Sequence, residues 1–208
     1  MSNGDITAVF WDFGGVILAS PFDSFNDYER SRGIPVDFIR SVNAVDPDSN
    51  AWARIERREI SAAEFDLAFA DESERRGHRV PGADVLGLLD GAVRPAMVEA
   101  LDRVIAAGYI TACLTNNVVS DVRPDVHAVM ARFHHIVESS KVGVRKPEVA
   151  FYEHACKLAE VEPSEVLFLD DLGVNLKPAR AMGMATIKVT SAAQALAELE
   201  TILALSLT

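Results

Sequence analysis

The chain has 208 residues, of which 49% are hydrophobic and 25% are charged, and its formal net charge is -11. This composition excludes a disordered chain and predicts a globular protein of one domain, or one domain with a smaller insertion. The negative charge argues against nucleic acid or an anionic membrane surface as the main partner, because both repel an acidic protein.

Five short apolar runs predict strands: Ile6–Trp11, Ile110–Leu114, His135–Glu138, Val166–Leu169 and Thr186–Val189. Helical patterns alternate with these runs: Pro95–Ala107, Val122–Arg132, Glu148–Ala159, Leu176–Met182 and Ala192–Leu205. Thr190 or Ser191 is suited to cap the last helix. The alternation predicts an α/β fold, with a doubly wound parallel sheet that carries helices on both faces.

One region, from about Pro21 to Ala92, interrupts this alternation because it has no strand-like run. Its four helical patterns are Ser24–Arg32, Val36–Val45, Ser49–Arg57 and Ala62–Arg76, and Ser61 with Glu64 predicts a capping box. We therefore predict a core of residues 1–19 and 93–208 with an inserted all-helical cap of residues 20–92. An insertion after the first strand emerges at the carboxyl edge of the sheet, where ligands bind, so it is well placed to act as a lid.

Polar residues follow the first two predicted strands. Asp12 ends the first strand and precedes Gly14 and Gly15, which allow the backbone to turn tightly. Thr115 and Asn116 end the second strand, where a hydroxyl and an amide suit the recognition of anionic oxygens. Taken alone, Thr115 and Asn116 fit a simple turn or a helix cap better than a binding site.

The next two strands end in charged residues. Lys146 lies in the loop after the third strand and precedes Pro147, which we expect at the first position of a helix. Asp170 and Asp171 follow the fourth strand, where two adjacent carboxylates are unfavourable unless a cation pairs with them. Mg²⁺ fits this position because it binds one or two carboxylates together with water and a substrate phosphate.

The order Asp, Thr-Asn, Lys and Asp-Asp-x-x-x-Asn, each after a strand, resembles the haloacid dehalogenase (HAD) superfamily of hydrolases over nearly the whole chain. The insertion is similar to the helical cap of that superfamily. Residues 138–148, 168–180 and the cap segment 55–65 are also similar to the N-terminal phosphatase domain of soluble epoxide hydrolases.

The resemblance implies a reaction on a small phosphorylated substrate. Asp12 would be the nucleophile that attacks phosphorus and forms an aspartyl phosphate. Thr115 and Asn116 would hold the phosphoryl oxygens, and Lys146 would neutralise charge on the nucleophile and on the phosphoryl group. Phosphoryl transfer needs mainly positioning and charge stabilisation, which these residue types can supply.

The resemblance also implies a magnesium site and its support. Asp171 would bind Mg²⁺ together with Asp12 and the backbone carbonyl of Gly14. Asp170 would orient Lys146 or a metal-bound water, and Asn175 would brace the loop beside the substrate.

Gly14 departs from the pattern, because most phosphatases of this superfamily have an Asp there that protonates the leaving group and then activates water. Such a role contributes about 10²–10⁴-fold in rate. The chain could therefore act only on esters with good leaving groups, or use another group in its place, such as a metal-bound water or a cap residue (Asp23, Asp27 or Glu56). It could also bind a phosphorylated ligand with little or no turnover.

A second enzyme class also lacks an acid at the position of Gly14. Haloacid dehalogenases of the same superfamily attack carbon and use no metal. The pair Asp170-Asp171 argues against this class, because a site without magnesium has no need of two adjacent carboxylates there.

The first residues and the cysteines predict the cellular location. Residues 1–5 show no basic segment leading into an apolar one, and no run reaches the ~20 apolar residues of a membrane span. Two lone cysteines, Cys113 and Cys156, predict reduced and buried thiols, and hence a cytoplasmic protein. The sequence leaves open whether the protein is a monomer or a homodimer.

Overall fold

A computed structural model describes residues 6–118 and 123–207 of the chain. Its five strands are β1 (Ala8–Trp11), β2 (Ile110–Thr115), β3 (His135–Glu138), β4 (Val166–Asp170) and β5 (Ala185–Lys188). They form one parallel sheet in the order β3-β2-β1-β4-β5, so that β1 lies at the centre. The predicted doubly wound α/β fold is confirmed.

The helices of the described residues, numbered in chain order, are α1 (Phe22–Arg32), α2 (Phe38–Asn43), α3 (Ala51–Glu56), α4 (Ala62–Glu74), α5 (Gly82–Gly87), α6 (Pro95–Ala106), α7 (Pro124–Met130), α8 (Ser139–Val142), α9 (Val149–Ala159), α10 (Gly173–Ala181) and α11 (Ala192–Leu203). A π-helical turn, Phe13–Ile17, follows β1, and a 3₁₀ turn, Pro163–Glu165, precedes β4. None of these helices is long and apolar enough to cross a membrane.

Helix bounds differ from the predicted ones by up to three residues, at starts and at ends. Helix α9 begins at Val149 and leaves Pro147 outside it, in a turn closed by the Glu148 N–H donating to the Arg145 carbonyl. Helix α10 begins earlier than predicted, at Gly173, directly after the loop that carries the paired aspartates. Helix propensity is a weak signal that the surrounding fold overrides, so these starts do not follow from composition. The predicted start of α7 at Val122 lies outside the described residues.

Two hydrophobic layers cover the sheet. Along β1, Val9 and Trp11 pack into the layer beneath α6 and α11, whereas Ala8 and Phe10 pack into the layer beneath α9 and α10. All four side chains are fully buried, as expected for a central parallel strand covered on both faces. The burial holds β1 rigidly, so the residue that follows it has a well-defined position.

Helices α1–α5 surround a hydrophobic cluster of their own, which includes Phe25, Phe65 and Phe69. Ser61 and Glu64 form the predicted capping box at the start of α4. The two segments that connect these helices to the sheet pair with each other, because Leu18 and Val93 form an antiparallel bridge. Helix α5 is additional to the four helices predicted for this segment.

Candidate active site

The carboxyl ends of the parallel strands bring the predicted polar residues to one edge of the sheet. Asp12 follows β1, Thr115 ends β2, and Asp170 ends β4. All three side chains are polar, and all three are buried. Lys146 reaches the same edge from the loop between α8 and α9, and its side chain is only 1% exposed.

Lys146 is the centre of a buried ion-pair network. Its Nζ lies 2.7 Å from Asp12 Oδ1 and 2.8 Å from Asp170 Oδ2. The ammonium also lies 5.6 Å from the centroid of the Phe168 ring. A buried lysine is stable only when its charge is paired, and here two carboxylates from different strands pair with it.

Several hydrogen bonds hold the Asp170 carboxylate in place. Its Oδ1 accepts a hydrogen bond of 2.8 Å from the Leu172 N–H. The Asn175 side-chain amide lies 3.1 Å from both Asp170 oxygens, and the Asn175 carbonyl accepts from the Tyr152 hydroxyl at 2.7 Å. Asn175 therefore contacts Asp170, and through it supports Lys146.

Burial and charge shift the protonation of this cluster. Burial raises the pKa of Asp12 to about 8 against the pull of Lys146, and the neighbouring Asp170 and Asp171 add to the rise. Burial likewise raises the pKa of Asp171 to about 6, with Asp170 contributing. Burial opposes the charge of Lys146, but Asp12 and Asp170 outweigh it, raise the lysine pKa and keep the ammonium charged.

The cluster has the composition of a site for a hard divalent cation. Oxygen atoms of Asp12, Asp170 and Asp171 lie within 4.8 Å of one another. Because the Asp170 oxygens are already bound by Lys146, Asn175 and a backbone N–H, Asp12 and Asp171 are the better placed to accept a cation. Carboxylate oxygens in excess over the single lysine fit Mg²⁺.

The two glycines after Asp12 have different constraints. Gly15 has φ of 77°, and a Cβ built there would lie 2.3 Å from Asp171 Oδ2, so only glycine fits. Gly14 has φ of -69° and ψ of 131°, and a Cβ built there meets no atom within 4 Å. The fold thus requires glycine at position 15 but leaves position 14 open to a side chain.

Asn116 binds the backbone of Lys146. Its Oδ1 accepts from the Lys146 N–H at 2.8 Å, and its Nδ2 donates to the Lys146 carbonyl at 2.9 Å. The side-chain amide predicted to hold phosphoryl oxygens is therefore occupied in placing the lysine loop. The neighbouring Asn117 joins the same two loops, because its Oδ1 accepts from the Ser140 hydroxyl at 2.9 Å.

Glu56, at the end of α3 in the helical insertion, contacts this edge of the sheet. The Glu56 side chain is buried, and it accepts from Arg145 Nε at 2.5 Å and from Asn116 Nδ2 at 3.3 Å. Burial raises the pKa of Glu56, and the Arg145 guanidinium opposes the rise. Sequence reasoning names Glu56 only as a substitute acid and misses its contacts, which join residues 60 and 89 positions apart.

The structure thus brings together the residues that sequence reasoning selected. They are Asp12, Gly14, Thr115, Asn116, Lys146, Asp170, Asp171 and Asn175. Their roles in catalysis and in binding a substrate or a metal stay predictions. A residue that sequence reasoning did not select is Arg94, whose guanidinium donates to the Gly15 carbonyl at 2.8 Å and steadies the turn after Asp12.

Known proteins of similar sequence include two that are much longer than this chain. The chain is 33% identical over 202 residues to mouse acyl-CoA dehydrogenase family member 10, covering 94% of this chain and 19% of that protein. It is 30% identical over 208 residues to mouse bifunctional epoxide hydrolase 2, covering 91% of this chain and 37% of that protein. The chain therefore spans well under half of the length of these relatives.

A relative of similar length is a sesquiterpene phosphatase of Aspergillus oryzae. It is 27% identical over 190 residues, which cover 88% of this chain and 89% of the phosphatase.

Solved structures share the fold at low sequence identity. An enzyme of the HAD family from Bacteroides thetaiotaomicron, in complex with magnesium and inorganic phosphate, has a TM-score of 0.59 at 19% identity, over 88% of this chain and 93% of its own. The L-2-haloacid dehalogenase of Xanthobacter autotrophicus, with chloropropionic acid covalently bound, has a TM-score of 0.62 at 19% identity, over 97% of this chain and 84% of its own.

The family model of haloacid dehalogenase-like hydrolases matches residues 6–183, which include β1–β4 and every candidate site residue described above. This match confirms the resemblance inferred from the order of the motifs. The chain belongs to the haloacid dehalogenase-like hydrolase family.

Proposed function

We propose that the protein is a magnesium-dependent phosphatase that hydrolyses a small phosphate ester through an aspartyl phosphate on Asp12. The observation that carries this proposal is the buried contact of Lys146 with both Asp12 and Asp170, beside Asp171. A fixed ammonium next to a strand-end carboxylate stabilises the negative charge of a phosphoryl group during transfer.

The chain's own residues would act as follows. An oxygen of Asp12 attacks phosphorus as the bond from phosphorus to the ester oxygen breaks, and water then hydrolyses the acyl phosphate. Lys146 keeps its proton throughout and offsets the charge on Asp12 and on the phosphoryl oxygens. The Thr115 hydroxyl, at the buried end of β2, would donate to one of these oxygens.

Magnesium would be held by Asp12, Asp171 and the backbone carbonyl of Gly14. When bound, it would neutralise charge on the transferring phosphoryl group. Support comes from the excess of carboxylates over ammonium groups in the cluster.

Gly14 restricts the proposed substrates to esters whose leaving groups depart without a proton, such as acyl, aryl or anomeric sugar phosphates. Two alternative acids gain no support, because Asp23 and Asp27 are exposed and Asp27 pairs with Arg30 at 2.6 Å. The third, Glu56, is buried beside Asn116.

A haloacid dehalogenase is the second candidate, because the dehalogenase of Xanthobacter autotrophicus shares the fold. The chemistry of the site favours the phosphatase. Asp171 is partly buried near Asp12 and Asp170, and a reaction without a cation would leave three carboxylates beside the single Lys146 ammonium.

A panel of acyl, aryl, anomeric and alkyl phosphates tests the proposal by phosphate release, with Mg²⁺ and with a chelator. We expect release from the esters with good leaving groups, loss of release with the chelator, and loss in Asp12→Asn. The control Asp102→Asn changes an exposed ion pair on α6 and should keep wild-type activity.

Two results would overturn the proposal. Halide release from 2-haloacids that survives chelation would identify a dehalogenase. Binding of inorganic phosphate without turnover of any ester would identify a phosphate-binding protein.

We also propose a cytoplasmic location, supported by the two free and buried cysteines, Cys113 and Cys156. Measuring its mass in solution distinguishes a monomer from a homodimer.

A further inference from the structure

Four side chains join the helical insertion to the candidate active site: the buried Glu56 with Trp52, Arg145 and Asn116, called here the Glu56 junction. Glu56 and Trp52 belong to α3, whereas Asn116 follows β2 and Arg145 precedes Lys146. Glu56 Oε1 accepts from Trp52 Nε1 at 2.8 Å. Glu56 Oε2 accepts from both Arg145 and Asn116.

Every partner of the Glu56 carboxylate donates a hydrogen bond. Trp52 and Arg145 carry only donors on their side chains. Asn116 presents its NH₂ group to Glu56, because its Oδ1 already accepts from the Lys146 N–H. The ionised carboxylate can accept from all three donors at once.

The junction extends to the catalytic lysine through one side chain. The Asn116 amide holds the Lys146 N–H and carbonyl at 2.8 and 2.9 Å, and its NH₂ group also donates to Glu56 at 3.3 Å. Arg145 donates a hydrogen bond to Glu56, and it also donates to the carbonyl of Pro47, in the same insertion, at 3.0 Å. Two consecutive residues, Arg145 and Lys146, are thus tied to α3.

We propose that Glu56 is a positioning residue, which sets the orientation of Asn116 and the loop of Lys146 and so couples the docking of α3 to the placement of the catalytic ammonium. The kinetic part of this inference rests on the proposed phosphatase function. Glu56 exchanges no proton with the substrate in this role, because both of its oxygens are occupied by protein donors.

The N–H group of Lys146 reports on the junction without any turnover. Glu56→Gln would direct an amide NH₂ group at one of the donors, so that Asn116 loses part of its support and its hydrogen bond with the Lys146 N–H weakens. We expect faster hydrogen–deuterium exchange at Lys146 in Glu56→Gln than in the wild type. The control Glu59→Gln removes a half-exposed carboxylate that pairs with Arg57 near the same helix end, and it should leave this exchange unchanged.

A second variant breaks the junction from the other side. Arg145→Gln leaves α3 unaltered, so it separates the junction from the folding of the insertion. It should also raise the exchange of the Lys146 N–H. Unchanged exchange at Lys146 in Arg145→Gln, or in a folded Glu56→Gln, overturns the proposal.

Kinetics distinguish positioning from proton transfer. With p-nitrophenyl phosphate and phenyl phosphate, we expect Glu56→Gln to lower kcat for both esters by a similar factor, up to about 100-fold, and to leave KM little changed. A loss that is much larger for phenyl phosphate, the poorer leaving group, would identify Glu56 as the general acid and refute the positioning role. If the wild type releases no phosphate, the proposed function fails, whereas the exchange experiment still decides the role of Glu56.

Discussion

Gly14 and Gly15 are neighbours, yet the structure constrains them differently. At Gly15 the positive φ and the approach of Asp171 exclude any side chain. At Gly14 the backbone is ordinary and the space around a Cβ is open. The glycine that removes the expected acid from the site is therefore not required by the fold.

This difference predicts a gain of function. Gly14→Asp should fold and should raise turnover of esters with poor leaving groups by about 10²–10⁴-fold relative to wild type, because it supplies a general acid and base. Steady-state phosphate release from alkyl phosphates measures the gain. Gly14→Asn has nearly the same shape without the acid and should not show it, so equal activity of the two variants would contradict the prediction.

The carboxylates of the site predict how stability depends on pH in the absence of metal. The pKa of Asp12 rises from 3.8 to about 8 on folding, and that of Asp171 from 3.8 to about 6. Between pH 3.8 and the raised pKa of each group, the carboxyl group has lost its proton in the unfolded chain but keeps it in the folded chain. The contribution of these two carboxylates to the stability of the metal-free protein should therefore be greatest below about pH 4 and fall toward pH 8.

Magnesium should reverse this trend, because it binds the ionised carboxylates. We expect the rise in melting temperature on adding Mg²⁺ to be larger at pH 8 than at pH 5, as measured by thermal unfolding at both values. Asp171→Asn should abolish most of the difference, whereas the surface variant Asp102→Asn should keep it. A rise in melting temperature that is independent of pH would argue against the assigned ligands.

At the scale of secondary structure, α2 depends on a residue from a different helix. Glu29 of α1 is fully buried, and its carboxylate accepts from the N–H groups of Asp37 and Ile39 at 2.7 and 2.8 Å. These N–H groups at the start of a helix have no partner within the helix. Glu29 thus satisfies them and joins α1 to α2, whereas local sequence identifies no cap of this kind.

Glu29→Ala should lower the free energy of unfolding by about 1.5–3 kcal/mol for each hydrogen bond lost to the charged carboxylate. Chemical denaturation with circular dichroism measures the change. Glu72 offers a matched comparison, because its carboxylate accepts one backbone N–H, that of Ala51, at 2.8 Å. Glu72→Ala should therefore cost less, and an equal or greater cost would contradict this account of α2.

At the scale of the whole molecule, the chain contains separate hydrophobic clusters for the sheet and for α1–α5. Contacts between these parts include the Glu56 junction, the pair of Arg57 with Glu148, and Val118, which packs against the cluster of α1–α5. We infer that residues 20–92 form a cap that can loosen while the sheet remains folded.

A substitution that creates a cavity in the cap tests whether the cap can loosen while the sheet remains folded. Phe65 is fully buried, with its ring 5.6 Å from that of Trp52 and 5.5 Å from that of Phe69. Phe65→Ala should destabilise the cap by about 3–5 kcal/mol. Hydrogen exchange should then accelerate in α1–α5 and stay slow in β1, β2 and β4.

Phe168→Ala, in the sheet, is the matched control, and we expect it to accelerate exchange in the strands. Equal acceleration throughout the chain in Phe65→Ala would mean that the cap and the sheet unfold as one unit.

Sequence alone determined the type of fold and the edge where the candidate site lies. The apolar runs were short and alternated with helical patterns, which requires a parallel sheet, and parallel strands place their carboxyl ends together. The sequence alone therefore assigns four residues to one edge of the sheet: Asp12, Thr115, Lys146 and Asp170. Their types and order also identified the family, which the match over residues 6–183 confirms.

Only the tertiary structure decided how these residues contact one another. Asn116 holds the backbone of Lys146 across 30 positions, and Glu56 reaches Arg145 across 89. No local pattern encodes such pairs, because each depends on where two loops and a helix from distant segments meet. The same holds for Gly14, since the open space around its Cβ belongs to the folded molecule and not to the glycine itself.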